Sequence, residues 1–288
     1  VRKKIPAILI LPAAFLGALL LLSMGSTLVE SFGYIPALGL YDVTLSYYAE
    51  VFREPQFVDS ITLSLFIAAV SSLIAAAGGT ALAAALVSSN GGRRVAERLV
   101  RLPILVPHTV VALFMIMLFS QSGLISRALF LAGLTGGQSD FPSVLFSANS
   151  TGIIMAYAWK EIPFVAYFTL ALMLSVSRTL GEAAQNLGAS RIKTFVNVTL
   201  PLCMPAVKKA FLIIFAFSLG AYELPYLLGA TLPRALPVQA YIEYVNPDLQ
   251  NRPYAMALSG VLLLISLGAA FVYYRQVKKE LEGGGLHV

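Results

Sequence analysis

Three ionisable side chains stand inside apolar runs where charge is costly: Lys160 and Glu161 in "AYAWKEIPF", and Glu223 in "SLGAYELPYLLG". Charged groups at membrane depth are rare and mark solute pathways, proton relays or interhelical pairs. Trp159 and Tyr222 flank them, adding aromatic faces to the same two stretches. Each glutamate precedes a proline by two residues, at Pro163 and Pro225. A proline within a span lacks an N–H and kinks the helix, which opens backbone polar groups toward a cavity. Neighbours on a helix point about 100° apart, so Lys160 and Glu161 each need a different partner. Two readings stand at this point: the three residues line a translocation pathway, or Lys160 pairs with Glu223 to fix helix packing. His108, beside Pro107, reads as a packing or interface histidine. Ser190-x-x-Lys193 has the spacing of a serine nucleophile motif without the surroundings that chemistry requires. Two distant histidines and the lone Cys203 give no metal-ligand spacing.

The elements that position these residues follow from composition. Of 288 residues 58% are hydrophobic and only 12% charged, and the mean hydropathy is +0.81. Soluble domains carry roughly twice that share of charge, so the chain reads as all-α and polytopic. About 20 apolar residues cross a bilayer, which predicts six spans near 5–27, 60–87, 104–122, 151–176, 209–229 and 255–274. The first is read as a retained helix rather than a cleaved signal peptide. An N-terminal helix with its outer loop (1–59), a five-helix core (60–274) and a tail (275–288) make up the chain. The net charge of +6 sits in short loops and sets orientation rather than recruiting nucleic acid. One side carries Arg2, Lys3, Lys4, Arg93, Arg94, Arg98, Arg101, Arg178, Arg191, Lys193, Lys208, Lys209, Arg275, Lys278 and Lys279. The other carries Arg53, Arg127, Arg234 and Arg252. That asymmetry predicts both termini in the cytoplasm. The outer loops at 28–59 and 230–254 read either as solvated connections or as a docking rim, the second as a non-helical cap.

Between the fourth and fifth runs lies "GEAAQNLGASRIKTFVNVTLP", far longer than a connection needs. Thr179 and Glu182 have capping-box spacing. Gly188 suits a left-handed helix end, and Pro201 should stop a second short helix. The segment therefore reads as helix, glycine hinge, helix. It could fit a partner's groove or lie on the membrane surface.

Glu182-Ala183-Ala184, Gly188 four residues on, and Leu200-Pro201 twelve beyond the glycine resemble the EAA loop of ATP-binding-cassette importer permeases. Val198 stands where that family usually has isoleucine. The resemblance implies the type I importer permease fold in a bacterial inner membrane, with this loop docking into a cytoplasmic ATPase dimer. It also implies a second permease subunit, an extracytoplasmic solute-binding protein and surrounding lipid as partners. ATP and magnesium would belong to the separate ATPase, with no cofactor on this chain. The sequence contains no Gly-Lys pair and so no P-loop. Looser matches, "SFGYIPALGLYDVTLSYYAEVF", "GAYELPYLLG" and "YVNPDLQNRPYA", resemble the branch serving polyamines, thiamine, ferric iron, sulfate, molybdate and phosphonates. Two intramembrane glutamates and acidic outer loops point to a polyamine, while Lys160 keeps an anion open. A gradient-driven secondary transporter would use Glu161 and Glu223 as a proton relay but leaves the loop unexplained.

Overall fold

The computed structural model describes residues 10–89 and 93–282. Arg2, Lys3, Lys4, positions 5–9 of the expected first span, and the glycine-rich end of the tail lie outside the described residues. In chain order the helices are α1 (Leu11–Ser31), α2 (Ser46–Val51), α3 (Pro55–Ser88), α4 (Arg93–Leu105) and α5 (His108–Phe119). They continue as α6 (Leu124–Leu131), α7 (Thr151–Val176), α8 (Glu182–Asn186), α9 (Arg191–Thr194), α10 (Leu200–Gly220), α11 (Glu223–Leu228), α12 (Leu236–Val245) and α13 (Arg252–Glu282). Among the described residues, six helices are long and apolar enough to cross a membrane. Two π-helical turns, Ser177–Gly181 and Phe195–Thr199, join their neighbours without a break. The fourth and fifth spans thus become single helices over Thr151–Asn186 and Arg191–Gly220. The chain divides into two compact units, Val1–Ser60 with Leu236–Leu264, and Ile61–Ala235 with Ile265–Val288.

In the first unit, α1 is apolar and largely exposed, Leu20, Leu21 and Leu22 included, which is how a lipid-facing helix looks. The segment after it is folded rather than loosely solvated. The Tyr48 hydroxyl donates to Ser31 Oγ at 2.8 Å, and the Tyr254 hydroxyl donates to Glu50 Oε2. Tyr47 meets Tyr254 edge-on, with ring centroids 5.3 Å apart. The expected non-helical cap at 230–254 instead contains α12, because Pro237 falls in its first turn, where an N–H has no partner to lose. A Cβ on Gly260 would lie 2.1 Å from the Tyr48 hydroxyl. Gly260→Ala is therefore expected to displace that hydroxyl and cost about 1 kcal/mol net, the lost bond and the overpacking outweighing the helix gain of alanine. Thermal unfolding in detergent checks this, and adding Tyr48→Phe should give less than the sum of the two single losses.

The second unit is organised on α7, against which α4, α5, α10 and α11 pack. Small residues bring backbones together. Gly78 and Gly79 of α3 meet Ile162 and Val165 of α7, while Ala75, Val165, Ala210 and Ile214 form one buried cluster. A second cluster joins Ala83, Ala166, Met173, Val176 and Cys203. With no apolar driving force between helices in lipid, such close approach supplies the packing. Hydroxyls inside the helices return to their own backbone: Thr80 donates to the Ala76 carbonyl at 2.6 Å and Thr169 to Val165 at 2.9 Å.

Candidate functional site: a recess at two helix breaks and a closed connecting loop

Lys160 lies nine residues into the helix that begins at Thr151, roughly 14 Å along its axis. The helix continues beyond it as one candidate span to Asn186. Two breaks between other helices lie beside Lys160. Between α4 and α5 the chain turns at Pro107, whose ψ of 147° leaves helical geometry. Between α10 and α11 it turns at Ala221, with ψ of 130°. Helical geometry ends at Pro107, so carbonyls at the C-terminal end of α4 have no donor in a following turn. The Lys160 ammonium fills one of those vacancies by donating to the Val106 carbonyl.

The carboxylates are engaged elsewhere. Ser218 of α10 donates to Glu161 Oε1, while Glu161 Oε2 is buried without a hydrogen-bond partner. One turn before it, the buried Tyr157 hydroxyl also lacks a partner. Glu223 Oε2 lies 3.7 Å from His108 Nδ1, and the His108 ring sits 5.4 Å from that of Phe217. Lys160, Glu161 and His108 line a mostly apolar recess of about 230 Å³, open at its mouth, with Ile104, Phe164 and Phe217 among its walls.

The structure thus gathers Lys160, Glu161 and Glu223, and adds His108 and Ser218. It does not form the Lys160–Glu223 pair, since each has a nearer partner. Trp159 lies beside Phe114, with centroids 6.5 Å apart, and Tyr222 stacks on Tyr226 at 4.9 Å; neither lines the recess. Glu223 is not inside a continuous span, contrary to the expected helix at 209–229. It opens α11, and Pro225 falls in that helix's first turn rather than kinking a span. Pro163 does lie within α7. The signal for His108 was present, because a proline before an apolar run marks a break where an adjacent side chain meets freed backbone.

The connecting segment has equally definite geometry. Gly188, at φ +92°, is the left-handed residue that ends α8. Its N–H donates to Gln185 O at 2.9 Å, and the Ala189 N–H to Ala184 O at 3.1 Å, the paired closure of a Schellman motif. Ser190 caps α9 by accepting from the Lys193 N–H at 3.4 Å. That is a structural role for the Ser-x-x-Lys spacing. Two expectations are corrected. Thr179 forms no capping box, because its hydroxyl donates back to Ser175 O at 2.9 Å within an unbroken helix. Pro201 does not end the second helix, since it falls in the first turn of α10, directly after a π-turn that widens the backbone. Glu182, Ala183 and Pro201 are exposed, and Ala184 and Leu200 half-buried. Leu187 and Ile192 project at 90% and 77% exposure, an apolar tip on a polar segment.

The chain matches, over residues 77–279, the family described as the binding-protein-dependent transport system inner membrane component. It is 31% identical over 214 residues to the probable molybdenum ABC transporter permease protein of Haloferax volcanii, covering 72% of this chain and 74% of that protein. To the sulfate transport system permease protein CysT of Salmonella typhimurium it is 28% identical over 229 residues, 79% of each chain. Its fold is similar to the crystal structure of a bacterial ABC transporter involved in the import of the acidic polysaccharide alginate. There the TM-score is 0.67 at 23% identity, covering 92% of this chain and 97% of that one.

Proposed function

Because this chain belongs to the binding-protein-dependent transport inner membrane component family, we propose that it is the permease subunit of an ATP-driven importer for an inorganic oxyanion. The observation that carries the coupling half of this reading is the loop tip. Glu182, Ala183, Ala184 and Gly188 form a short helix closed by its own backbone, presenting Leu187 and Ile192 without local cover. A partner groove is what such a tip fits. The partner is a cytoplasmic ATPase dimer carrying ATP and magnesium, and Leu200-Pro201 anchors the returning arm. The Lys- and Arg-rich loops and both termini face the cytoplasm. A second permease subunit completes the pathway, and an extracytoplasmic solute-binding protein delivers the solute.

Lys160, Glu161 and Glu223 belong to that pathway, with Trp159 and Tyr222 at its margin. The polyamine expectation gives way, because the relatives above are named for molybdenum and sulfate transport. The Lys160 ammonium at the recess agrees with an anion.

The test is uptake into proteoliposomes holding this chain with its ATPase, companion permease and binding protein. Labelled sulfate or molybdate is expected to enter only with ATP, and excess spermidine should not compete. Spermidine uptake, or oxyanion uptake driven by a proton gradient without ATP, would overturn the reading.

A further inference from the structure

We propose that the recess at the α4–α5 and α10–α11 breaks is a transit station for a tetrahedral oxyanion, gripped by Lys160 after its ammonium leaves the Val106 carbonyl. This rests on the permease reading and adds to it a ligand-contacting residue.

The argument turns on which charges are already committed. Glu161 accepts from Ser218 through one oxygen, and Glu223 Oε2 lies 3.7 Å from His108 Nδ1, so neither carboxylate forms a salt bridge with Lys160. Lys160 donates to a neutral carbonyl, and the Glu223 carboxylate acts on it only at longer range. Bonds between two charged groups are roughly twice as strong as neutral ones, so a dianion entering the recess outcompetes Val106 for the ammonium. A lysine paired with either carboxylate would first have to break an ion pair at membrane depth. Resting on a carbonyl exposed by the helix break, it avoids that step.

The same geometry provides release. Glu161 Oε2 is buried, unpartnered, and belongs to a residue lining the recess beside Lys160. It adds no second cationic donor for the anion, and a pathway site must bind weakly enough to let go. When the anion leaves, Val106 again takes the ammonium.

Two substitutions separate charge from structure. Lys160→Gln keeps an N–H donor for the Val106 carbonyl but removes the charge, whereas Lys160→Arg keeps both. Each is assayed as ATP-dependent sulfate and molybdate uptake by the complete importer, with co-purification of the ATPase as the check on assembly. The arginine variant is expected within about threefold of the parent. The glutamine variant should fall by roughly tenfold to a hundredfold, the worth of one charge-assisted hydrogen bond. Parent-like uptake in the glutamine variant overturns the station. So does equal loss in both variants, which assigns Lys160 to supporting the break alone. Spermidine uptake gained in the glutamine variant overturns it in favour of a cation route. Absence of ATP-dependent oxyanion uptake in the parent is a different failure, that of the permease reading itself.

Discussion

Gly79→Leu is expected to prevent recovery of a folded, monodisperse chain, and Gly79→Ala to lower its stability by about 1–3 kcal/mol, the usual cost of overpacking. The sign needs an argument, because alanine is favoured over glycine within a helix by roughly 1 kcal/mol. Geometry decides it. A Cβ at Gly79 would lie 2.5 Å from Val165 Cβ and 2.7 Å from the Ile162 carbonyl oxygen, neither of which can swing aside. At Gly78 the contact is with the far end of the Ile162 side chain, at 3.0 Å. Gly78→Ala should therefore be nearly neutral, its helix gain offsetting a small rearrangement. Thermal unfolding in detergent distinguishes the neighbours. Equal behaviour of the two alanine variants would mean that the α3–α7 contact is not the tight one.

The other large effect is expected at Gly188. Nothing lies within 4 Å of a Cβ there, so a substitution acts through the backbone alone. At φ +92° a β-branched residue is a genuine outlier, and a left-handed residue costs roughly 1–2 kcal/mol without glycine. Gly188→Val should open the closure of α8, splay the tip and weaken binding of the ATPase by about tenfold or more. Gly188→Asn, a residue that visits this region, should retain most of the affinity. Titration of the purified ATPase onto the detergent-solubilised permease reads both. Equal affinity for the two variants would remove the tip geometry from the docking surface.

Much of this was legible in residue order, and the gaps have identifiable causes. Apolar run length gave the six spans, and a glycine between two polar helical stretches gave the left-handed end of α8. Prolines misled in opposite ways. Pro201 and Pro225 were read as a breaker and a kink, yet Pro225, like Pro237, sits in the first turn of a helix, where a missing N–H costs nothing, and Pro201 follows a π-turn inside a continuous helix. Pro107, which does mark a break, drew little attention because no charge adjoins it in sequence. The charges it serves arrive from α7 and α11, and no spacing rule within one chain segment reports that. Thr179 misled because a hydroxyl in a continuous helix bonds backward, whereas the capping box needs a helix start. The solute class was the least legible property. Counting carboxylates pointed to a cation, whereas the similar permeases are named for molybdenum and sulfate transport.

The central claim, that the Glu182–Pro201 loop transmits ATP-driven motion to an oxyanion pathway, is tested most directly by one comparison. ATP-dependent sulfate and molybdate uptake is measured in proteoliposomes of the complete importer carrying either the parent loop or Glu182→Lys with Gly188→Asp. The account predicts uptake by the parent only when ATP is present, and uptake at the no-ATP level in the loop variant. Uptake that ignores both ATP and the loop substitutions would contradict it.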